Sequence, residues 1–408
     1  MSLRKPALPV VALAIMMVVA AGLAFRAWHA PSRPPIRIGL LHSLTGTMAV
    51  SERPLVDAER LAVEEINAQG GLLGRPVEMV IVDGQSNWDT FAREAERLIG
   101  QEHVDALFAC WTSACRKAVK PVVERHDHLM FYPVQYEGLE QSPNILYTGS
   151  APNQQIIPGT RWAIDTFGKR VYLIGSNYVF PRTANLMIRD LVSTENGQVL
   201  AERYLPLGAR DMAGVVADIR RLKPDVVLNT LNGDSNAAFF DALNQAGLAN
   251  MPLVSFSVAE PEMAAWGGGR LSRHYGVWSY FQSLPRAENR RFVQAFKKRY
   301  GADRVTSDPV EAAYVGVKLW AQAVVDAGSP APDRVNPALL RESLDGPSEV
   351  EAVDADTRHL WKMVRVGKVK PNGQFVQVFA SSRPLRPAPW PFYRSKEEWR
   401  AMIEGTRP

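Results

Sequence analysis

The sequence has little of what several specialised classes of protein require. Only two cysteines occur among 408 residues, Cys110 and Cys115, and their spacing matches no zinc site and no redox motif. The formal net charge is only +5 and the charges are dispersed, so no basic stretch indicates a nucleic-acid partner. Short-period repeats and low-complexity segments are absent as well. What is left, 46% hydrophobic and 22% charged residues, is typical of an ordinary globular protein.

Signatures of enzymes and metal sites are also missing. The run Gly267–Gly269 is not followed by the Lys-Ser or Lys-Thr of a phosphate-binding loop. There is no Gly-x-Ser-x-Gly motif and no helix with paired histidines, and His126 and His128 are two positions apart, which would point them in different directions on a helix. We therefore expect no enzymatic activity, no catalytic residue, no metal site and no cofactor.

Residues 1–30 have the layout of a secretory signal peptide. Arg4 and Lys5 precede an uncharged run, Val10–Phe25, which is short for a membrane span. Loss of residues 1–24 would lower the net charge by two, to +3, and residues 31–35 would form a tether. We expect export to a bacterial periplasm, with an uncleaved amino-terminal membrane anchor as the alternative.

Apolar runs alternate with segments of helical pattern along the rest of the chain. A first set of runs lies at 36–41, 77–82, 106–109 and 129–131, and a second set, after Pro152, lies at 171–174, 199–204, 226–228 and 253–256. Such alternation predicts parallel sheets with helices on both faces. The sequence therefore predicts an α/β protein of two similar lobes, which its length also favours.

Polar and aromatic residues follow two neighbouring strands of the first set, 106–109 and 129–131. The aromatic ones are Trp111, Tyr132 and Tyr136, and the hydroxyl-bearing ones are Thr112 and Ser113. Ligands bind at the carboxyl ends of strands in open parallel sheets, so these side chains predict a pocket. Ordinary packing of the aromatic residues is the alternative.

Loops after strands of the second set complete the predicted cleft. They carry Tyr178, Asp234 and Ser257. Neutral hydrogen-bonding side chains dominate both sets of loops, with Asp234 and Glu137 as the conspicuous carboxylates. Such a lining suits a small, uncharged, polar ligand, because an amino acid would call for a cation near its carboxylate and these loops hold none.

The two cysteines are interpreted as packed thiols. Cys110 would lie at a strand end and Cys115 in the first turns of the following helix, a geometry that is doubtful for a bridge. Export would permit a disulfide, which is the alternative.

Several longer strings resemble one family specifically. They are Leu-His-Ser-Leu-Thr-Gly-Thr-Met-Ala at 41–49, Cys-Trp-Thr-Ser at 110–113, Tyr-Pro-Val-Gln-Tyr-Glu-Gly at 132–138, Ala-Pro-Asn-Gln-Gln at 151–155, Asn-Thr-Leu-Asn-Gly-Asp-Ser-Asn at 229–236, Glu-Ala-Ala-Tyr at 311–314 and His-Leu-Trp-Lys at 359–362. Together they resemble the urea-binding and short-chain-amide-binding branch of the type I periplasmic binding proteins. The resemblance covers residues 36 to 395.

The resemblance implies a two-lobed fold joined by three crossovers and closing over one ligand. We expect lobe 1 to comprise 36–147 and 283–349, lobe 2 to comprise 148–282 and 350–395, and 396–408 to form a tail. The implied function is that of the extracytoplasmic substrate-binding protein of an ABC importer for urea or a short-chain amide, acting with a permease and an ATPase. An amide-sensing regulator of the same fold, or a binding protein for branched-chain amino acids, is the alternative.

Roles for the pocket residues follow from the chemistry of such a ligand. Asp234 is predicted to accept the amide hydrogens, with capping of the next helix as its alternative role. Thr112 and Ser113, at a helix start, suit the carbonyl oxygen. Tyr132 and Tyr178, one from each lobe, would close on the flat faces. Related amide binders place a hydroxyl or an aromatic ring at the positions that match Trp111, Ser113, Tyr132 and Tyr178.

Overall fold

A computed structural model describes residues 33–404. The predicted signal peptide and the first residues of the predicted tether lie outside the described residues. No helix within 33–404 is long and apolar enough to cross a bilayer.

The first of two sheets has eight strands in the order β11-β12-β13-β5-β4-β3-β1-β2. Its strands are β1 (Ile36–His42), β2 (Val77–Asp83), β3 (Ala106–Ala109), β4 (Met130–Tyr132), β5 (Ile145–Tyr147), β11 (Ser343–Asp345), β12 (Val350–Asp354) and β13 (His359–Leu360). Strands β1 to β5 are parallel, and β11 to β13 add an antiparallel edge that joins β5 through a parallel pairing.

The second sheet has seven strands in the order β15-β14-β10-β9-β8-β6-β7. They are β6 (Arg170–Ser176), β7 (Gln198–Leu205), β8 (Val226–Thr230), β9 (Leu253–Ser255), β10 (His274–Trp278), β14 (Arg365–Val369) and β15 (Phe375–Ala380). Only β14 and β15, which form a hairpin, are antiparallel to their neighbours. The two sheets confirm the predicted fold class.

Helices cover both faces of each sheet. They are α1 (Ala49–Ala68), α2 (Trp88–Gly100), α3 (Ser113–Arg125), α4 (Ile156–Phe167), α5 (Val179–Thr194), α6 (Ala213–Leu222), α7 (Ser235–Gln245), α8 (Glu260–Ala265), α9 (Ala287–Tyr300), α10 (Asp308–Ala327), α11 (Pro332–Leu339) and α12 (Lys396–Glu404). Because successive strand residues point to opposite faces, Leu40 enters one apolar layer of the first lobe and Leu41 enters the other. Strands that are buried on both faces explain why the apolar runs show no alternation.

The membership of the two lobes differs from the predicted one after residue 349. Strands β12 and β13, residues 350–360, belong to the first sheet, although we expected the second lobe to begin at 350. The reason is pairing: Val353 is opposite Leu360, and His359 continues the sheet beside Tyr147. The last crossover therefore lies at 361–364.

The chain passes between the sheets three times, after Tyr147, after Trp278 and after Leu360. A group of charged residues, which we call the hinge cluster, is buried at the second and third passages: Asp308, Glu311, Glu349, Glu351, Lys362 and Arg365. The Asp308 carboxylate accepts hydrogen bonds from the backbone N–H groups of Ser279 and Tyr280. Lys362 lies in the last crossover itself, so the cluster ties both passages to α10.

Candidate functional site

The carboxyl ends of the two sheets face each other, and their loops are in contact. Trp111 of the first lobe donates a hydrogen bond from Nε1 to Asn232 Oδ1 of the second lobe, at 3.1 Å. Gln135 Nε2 donates to Ser257 Oγ at 3.0 Å. Gly233 approaches the first lobe so closely that a Cβ atom there would lie 2.7 Å from the carbonyl oxygen of Thr47. The loops predicted to line the cleft therefore form one interface.

Helix α3 begins at this interface, where the chain turns sharply after β3. Cys110 adopts a left-handed φ of 74°. Thr112 is the N-cap, and its Oγ1 accepts a hydrogen bond from the N–H of Cys115 at 3.1 Å. This satisfies one of the free N–H groups of the helix start and fixes the position of Ser113.

The interpretation of the cysteines as packed thiols was wrong. Cys110 and Cys115 form a disulfide, with a Cα–Cα distance of 5.7 Å. The left-handed turn at Cys110 directs the strand end back over the first turn of α3, which brings the two Cα atoms within the range that a bridge requires. The bridge encloses Trp111, Thr112, Ser113 and Ala114.

Removal of the disulfide is expected to destabilise the protein and loosen the site. The double variant Cys110→Ala/Cys115→Ala should lose about 2 kcal/mol of unfolding free energy, the loop-closure value for so short a loop. Guanidinium unfolding, in which the denaturant is not a candidate ligand, measures the loss. Reductant should shift the unfolding midpoint of the wild type but not that of the variant. Equal midpoints for oxidised wild type and variant would contradict a stabilising bridge.

A fully buried arginine on the first turn of α3 organises the polar part of the site. Arg116 Nη1 donates to Ser113 Oγ at 2.9 Å, Nη2 donates to Glu137 Oε1 at 3.0 Å, and Nε donates to Glu140 Oε1 at 2.8 Å. Ser113 in turn donates its hydroxyl hydrogen to Glu137 Oε2. The guanidinium thus binds two carboxylates. We call Ser113, Arg116, Glu137 and Glu140 the arginine cluster.

The electrostatics of this cluster favour the charged forms of Arg116 and Glu140. Burial lowers the pKa of Arg116, but Glu140 and Glu137 outweigh it and raise the pKa well above its usual value. Burial raises the pKa of Glu140, but Arg116 and Lys117 lower it by more, so that it falls to about 2. Lys117 Nζ lies 2.8 Å from the other oxygen of Glu140. The positive charge at the start of α3 is therefore compensated within the protein.

Tyr132 and Tyr136 both lie against the Arg116 guanidinium, with ring centroids 4.8 and 4.4 Å from its carbon. The Tyr132 hydroxyl donates to the carbonyl oxygen of Trp111 at 2.5 Å. The Tyr136 hydroxyl is hydrogen-bonded to His359 Nε2 at 2.7 Å, and its ring stacks on that histidine. Tyr136 therefore lies behind the arginine cluster, and its hydroxyl is occupied within the first lobe.

Tyr178 reaches the same place from the second lobe. It is 7% exposed, and its ring centroid lies 6.2 Å from that of Trp88 across the interface. Burial raises the pKa of Tyr178 well above its usual value, and the nearby Tyr132 and Glu137 raise it further. Within residues 33–404 its hydroxyl has no hydrogen-bond partner. An unpaired phenol therefore faces the arginine cluster.

The structure does not join Asp234 to this group. Asp234 stands at the N-cap position of α7, but its side chain makes no capping hydrogen bond, and within the described residues it makes no ion pair. The alternative role of side-chain capping is therefore wrong. Its backbone N–H contacts Thr47 Oγ1 at 3.4 Å, which places it at the outer contact between the lobes. Ser257 is buried, and its hydroxyl oxygen accepts the hydrogen bond from Gln135 described above.

A second ionic group lies at the end of β1. His42 is fully buried, with Nε2 2.9 Å from Glu59 Oε1 and Nδ1 3.7 Å from Glu52. Burial lowers the pKa of His42, but Glu59 and Glu52 raise it to about 9. The imidazolium is thus held by carboxylates of α1 and is not available to a ligand.

Sequence reasoning missed Arg116, Gln135 and Asn232. Arg116 follows Ser113 by three positions, so both lie on one face of α3, and this spacing was the available signal. Gln135 and Asn232 act across the lobe interface, and no local pattern distinguishes them from other loop amides.

Comparison with known proteins gives the family and the fold. A family profile described as a periplasmic binding protein domain matches residues 36–396. A protein of Geobacillus stearothermophilus named limonene hydroxylase is 36% identical over 116 residues, which are 28% of this chain and 21% of that protein. The Leu/Ile/Val-binding protein homolog 7 of Brucella abortus (strain 2308) is 26% identical over 324 residues, 74% of this chain and 79% of the other.

One similar solved structure is an ABC transporter solute-binding protein from R. palustris in complex with benzoate. It is 19% identical, covers 87% of this chain and 98% of its own, and has a TM-score of 0.78. At this level of identity the likeness shows the shared fold.

Proposed function

The chain belongs to the periplasmic binding protein family, and from that premise we propose that it is the extracytoplasmic solute-binding protein of an ABC importer for urea or a short-chain amide. The ligand would lie between the arginine cluster of the first lobe and Tyr178 of the second. Closure of the lobes would then present it to a permease that works with an ATPase.

The balance of charge supports an uncharged ligand. Arg116, the buried cation beside Tyr132 and Ser113, already binds two carboxylates. A ligand carboxylate placed there would meet Glu137 and Glu140 at close range, and like charges in a low-dielectric site repel strongly. An amide has no such charge and offers N–H donors that a carboxylate accepts well.

The unpaired Tyr178 hydroxyl is the observation that carries this proposal. A hydroxyl that no protein group occupies can donate its hydrogen to a ligand, so a ligand that accepts this hydrogen bond gains from pairing it when the lobes close. A carbonyl oxygen would accept from Tyr178, while the amide hydrogens would point toward Glu137. This assigns the anchoring carboxylate to Glu137 in preference to Asp234, because Glu137 belongs to the buried cluster.

Two alternatives rest on relatives. The name of the Brucella abortus relative indicates branched-chain amino acids, and the R. palustris protein holds benzoate. Both kinds of ligand carry a carboxylate, which the compensated arginine cluster does not favour. An amide-sensing regulator of the same fold would differ in location, and fractionation separates it: an importer subunit must occur outside the cytoplasmic membrane.

Calorimetric titration of the mature protein with urea, acetamide, leucine and benzoate tests the ligand class. We expect saturable binding of urea or acetamide and none of leucine or benzoate. Tighter binding of leucine or benzoate than of both amides would overturn the proposal and leave the family assignment intact.

A conservative change at Tyr178 tests the ligand's position. Tyr178→Phe should keep the fold and weaken amide binding by about 1 kcal/mol, the size of one hydrogen bond, while Tyr178→Ala should weaken it much more. Tyr172→Phe is the matched control, since Tyr172 is a buried tyrosine of the same lobe whose hydroxyl contacts Asp218. Unchanged amide affinity in Tyr178→Ala would place the ligand elsewhere.

A further inference from the structure

A second concave site lies between α3 and the segment that leads into α12, and it borders the arginine cluster at Glu140. Its volume is about 490 Å³. Four cations, Lys117, Lys120, Lys396 and Arg400, and one carboxylate, Glu140 of the arginine cluster, line it together with Trp390. The proposed binding of an amide between the arginine cluster and Tyr178 does not explain this cavity.

Four cations converge on the cavity and are only partly compensated. Lys117 pairs with Glu140 at 2.8 Å and Lys120 pairs with Glu124 at 2.6 Å, whereas Arg400 lies 3.9 Å from Glu397. Lys396 has no carboxylate within 4.0 Å in the described part of the chain. Like charges gathered around one concavity repel one another, so an anion that enters it relieves the repulsion.

An aromatic wall gives the cavity shape as well as charge. Lys396 Nζ lies 5.8 Å, and the Arg400 guanidinium carbon 5.4 Å, from the centroid of the Trp390 ring. The ring thus holds both cations on one side of the cavity. Arginine adds a planar fork that bonds two oxygens of one anion, and lysine adds point charges, the combination that suits phosphate.

The walls of the cavity belong to different lobes. Lys117 and Lys120 are on α3 of the first lobe. The opposite wall is attached to the second lobe, because Arg394 Nε donates to Asp190 of α5 at 2.9 Å and Trp399 is buried in the core of that lobe. An anion held by both walls would therefore bridge the lobes.

We propose that this cavity is an anion site for a phosphate group, held by Lys117 and Lys120 on one side and Lys396 and Arg400 on the other. Free phosphate and the headgroup of an anionic phospholipid share this chemistry. Phe392, which is 86% exposed and two residues from Trp390, would reach toward the acyl chains if the phosphate belongs to a lipid.

The test compares wild type with Lys396→Glu/Arg400→Glu, a change at two exposed positions that should leave the fold intact. Lys298→Glu/Lys370→Glu, on exposed surface elsewhere, is the control with the same change in net charge. Each protein is titrated with inorganic phosphate by calorimetry at fixed ionic strength, and each is sedimented with phosphatidylcholine vesicles that contain or lack phosphatidylglycerol.

We expect the first variant to lose at least about tenfold in affinity for the anion and the control to keep it. Binding of inorganic phosphate identifies a soluble anion as the ligand. Sedimentation with the phosphatidylglycerol vesicles, without binding of inorganic phosphate, identifies a lipid. Absence of both kinds of binding in the wild type overturns the proposal. Equal binding by wild type and Lys396→Glu/Arg400→Glu overturns it as well, because the anion then binds elsewhere.

Discussion

Replacement of Arg116 by methionine is expected to lower the free energy of unfolding by about 3–5 kcal/mol and to abolish ligand binding. Methionine fills a similar volume but leaves Glu137 and Glu140 buried, close together and without their cation. Guanidinium unfolding followed by circular dichroism measures the stability, and calorimetric titration with urea and acetamide measures the binding. Lys117→Met is the control, because Lys117 contacts the same carboxylates but is 41% exposed, so its removal should cost under about 1 kcal/mol.

A combined variant separates lost charge pairing from lost packing. Arg116→Met/Glu137→Gln/Glu140→Gln removes the carboxylates together with the cation, so no unpaired buried charge is left. It should recover much of the stability that Arg116→Met loses. It should not recover ligand binding, since Glu137 is the proposed acceptor for the amide hydrogens. If Arg116→Met and Lys117→Met lose equal stability, the buried guanidinium is not the organising group described above.

Lys362→Met should be the second most damaging single change, with a loss of about 3 kcal/mol near neutral pH. Lys362 Nζ lies 3.6 Å from Glu351 and 3.9 Å from Glu311, and all three side chains are fully buried. Burial raises the pKa of Glu311 well above its usual value, and the adjacent Glu351 raises it further. Burial likewise raises the pKa of Glu349, to about 7.

The loss at Lys362 should depend on pH in a defined direction. A carboxyl whose pKa is raised by folding contributes stability that is present below its unfolded pKa and is lost as pH rises through its folded pKa. Lys362 lowers the pKa values of Glu311 and Glu349, so these values rise further without its charge. The loss of unfolding free energy in Lys362→Met should therefore be small near pH 5 and grow toward pH 8. Unfolding curves at a series of pH values measure it, with Lys368→Met on β14 as the control. A deficit independent of pH would show that lost packing, not charge, is responsible.

Much of the fold was predictable because its signals are local. Strands β1, β3 and β8 were expected almost where they lie, since short apolar runs bounded by polar turns are typical of strands covered on both faces. The hairpin of β14 and β15 has an equally local signal, because Pro371-Asn372-Gly373 is a turn sequence. The strands at 350–360 were placed in the wrong lobe because pairing with Tyr147, far away in the chain, decides their membership.

The candidate site was predicted less completely than the fold. Trp111, Ser113, Tyr132 and Tyr178 do converge, because strand ends of parallel sheets meet at one edge. Arg116 was missed because a basic residue in a helix normally faces solvent, and only the two glutamates of a different loop make its burial tolerable. The disulfide depended on one left-handed residue, Cys110, which composition does not reveal.

The interleaved membership of the two sheets has a consequence for biosynthesis. The first sheet begins with Ile36 but is finished only by His359, and the second receives its last strands at 365–380. While the chain emerges from the ribosome, neither sheet can be completed until about nine tenths of the sequence has been made, and the decisive pairings have high contact order. We therefore expect such a chain to reach its final fold late, after most of its length has left the ribosome.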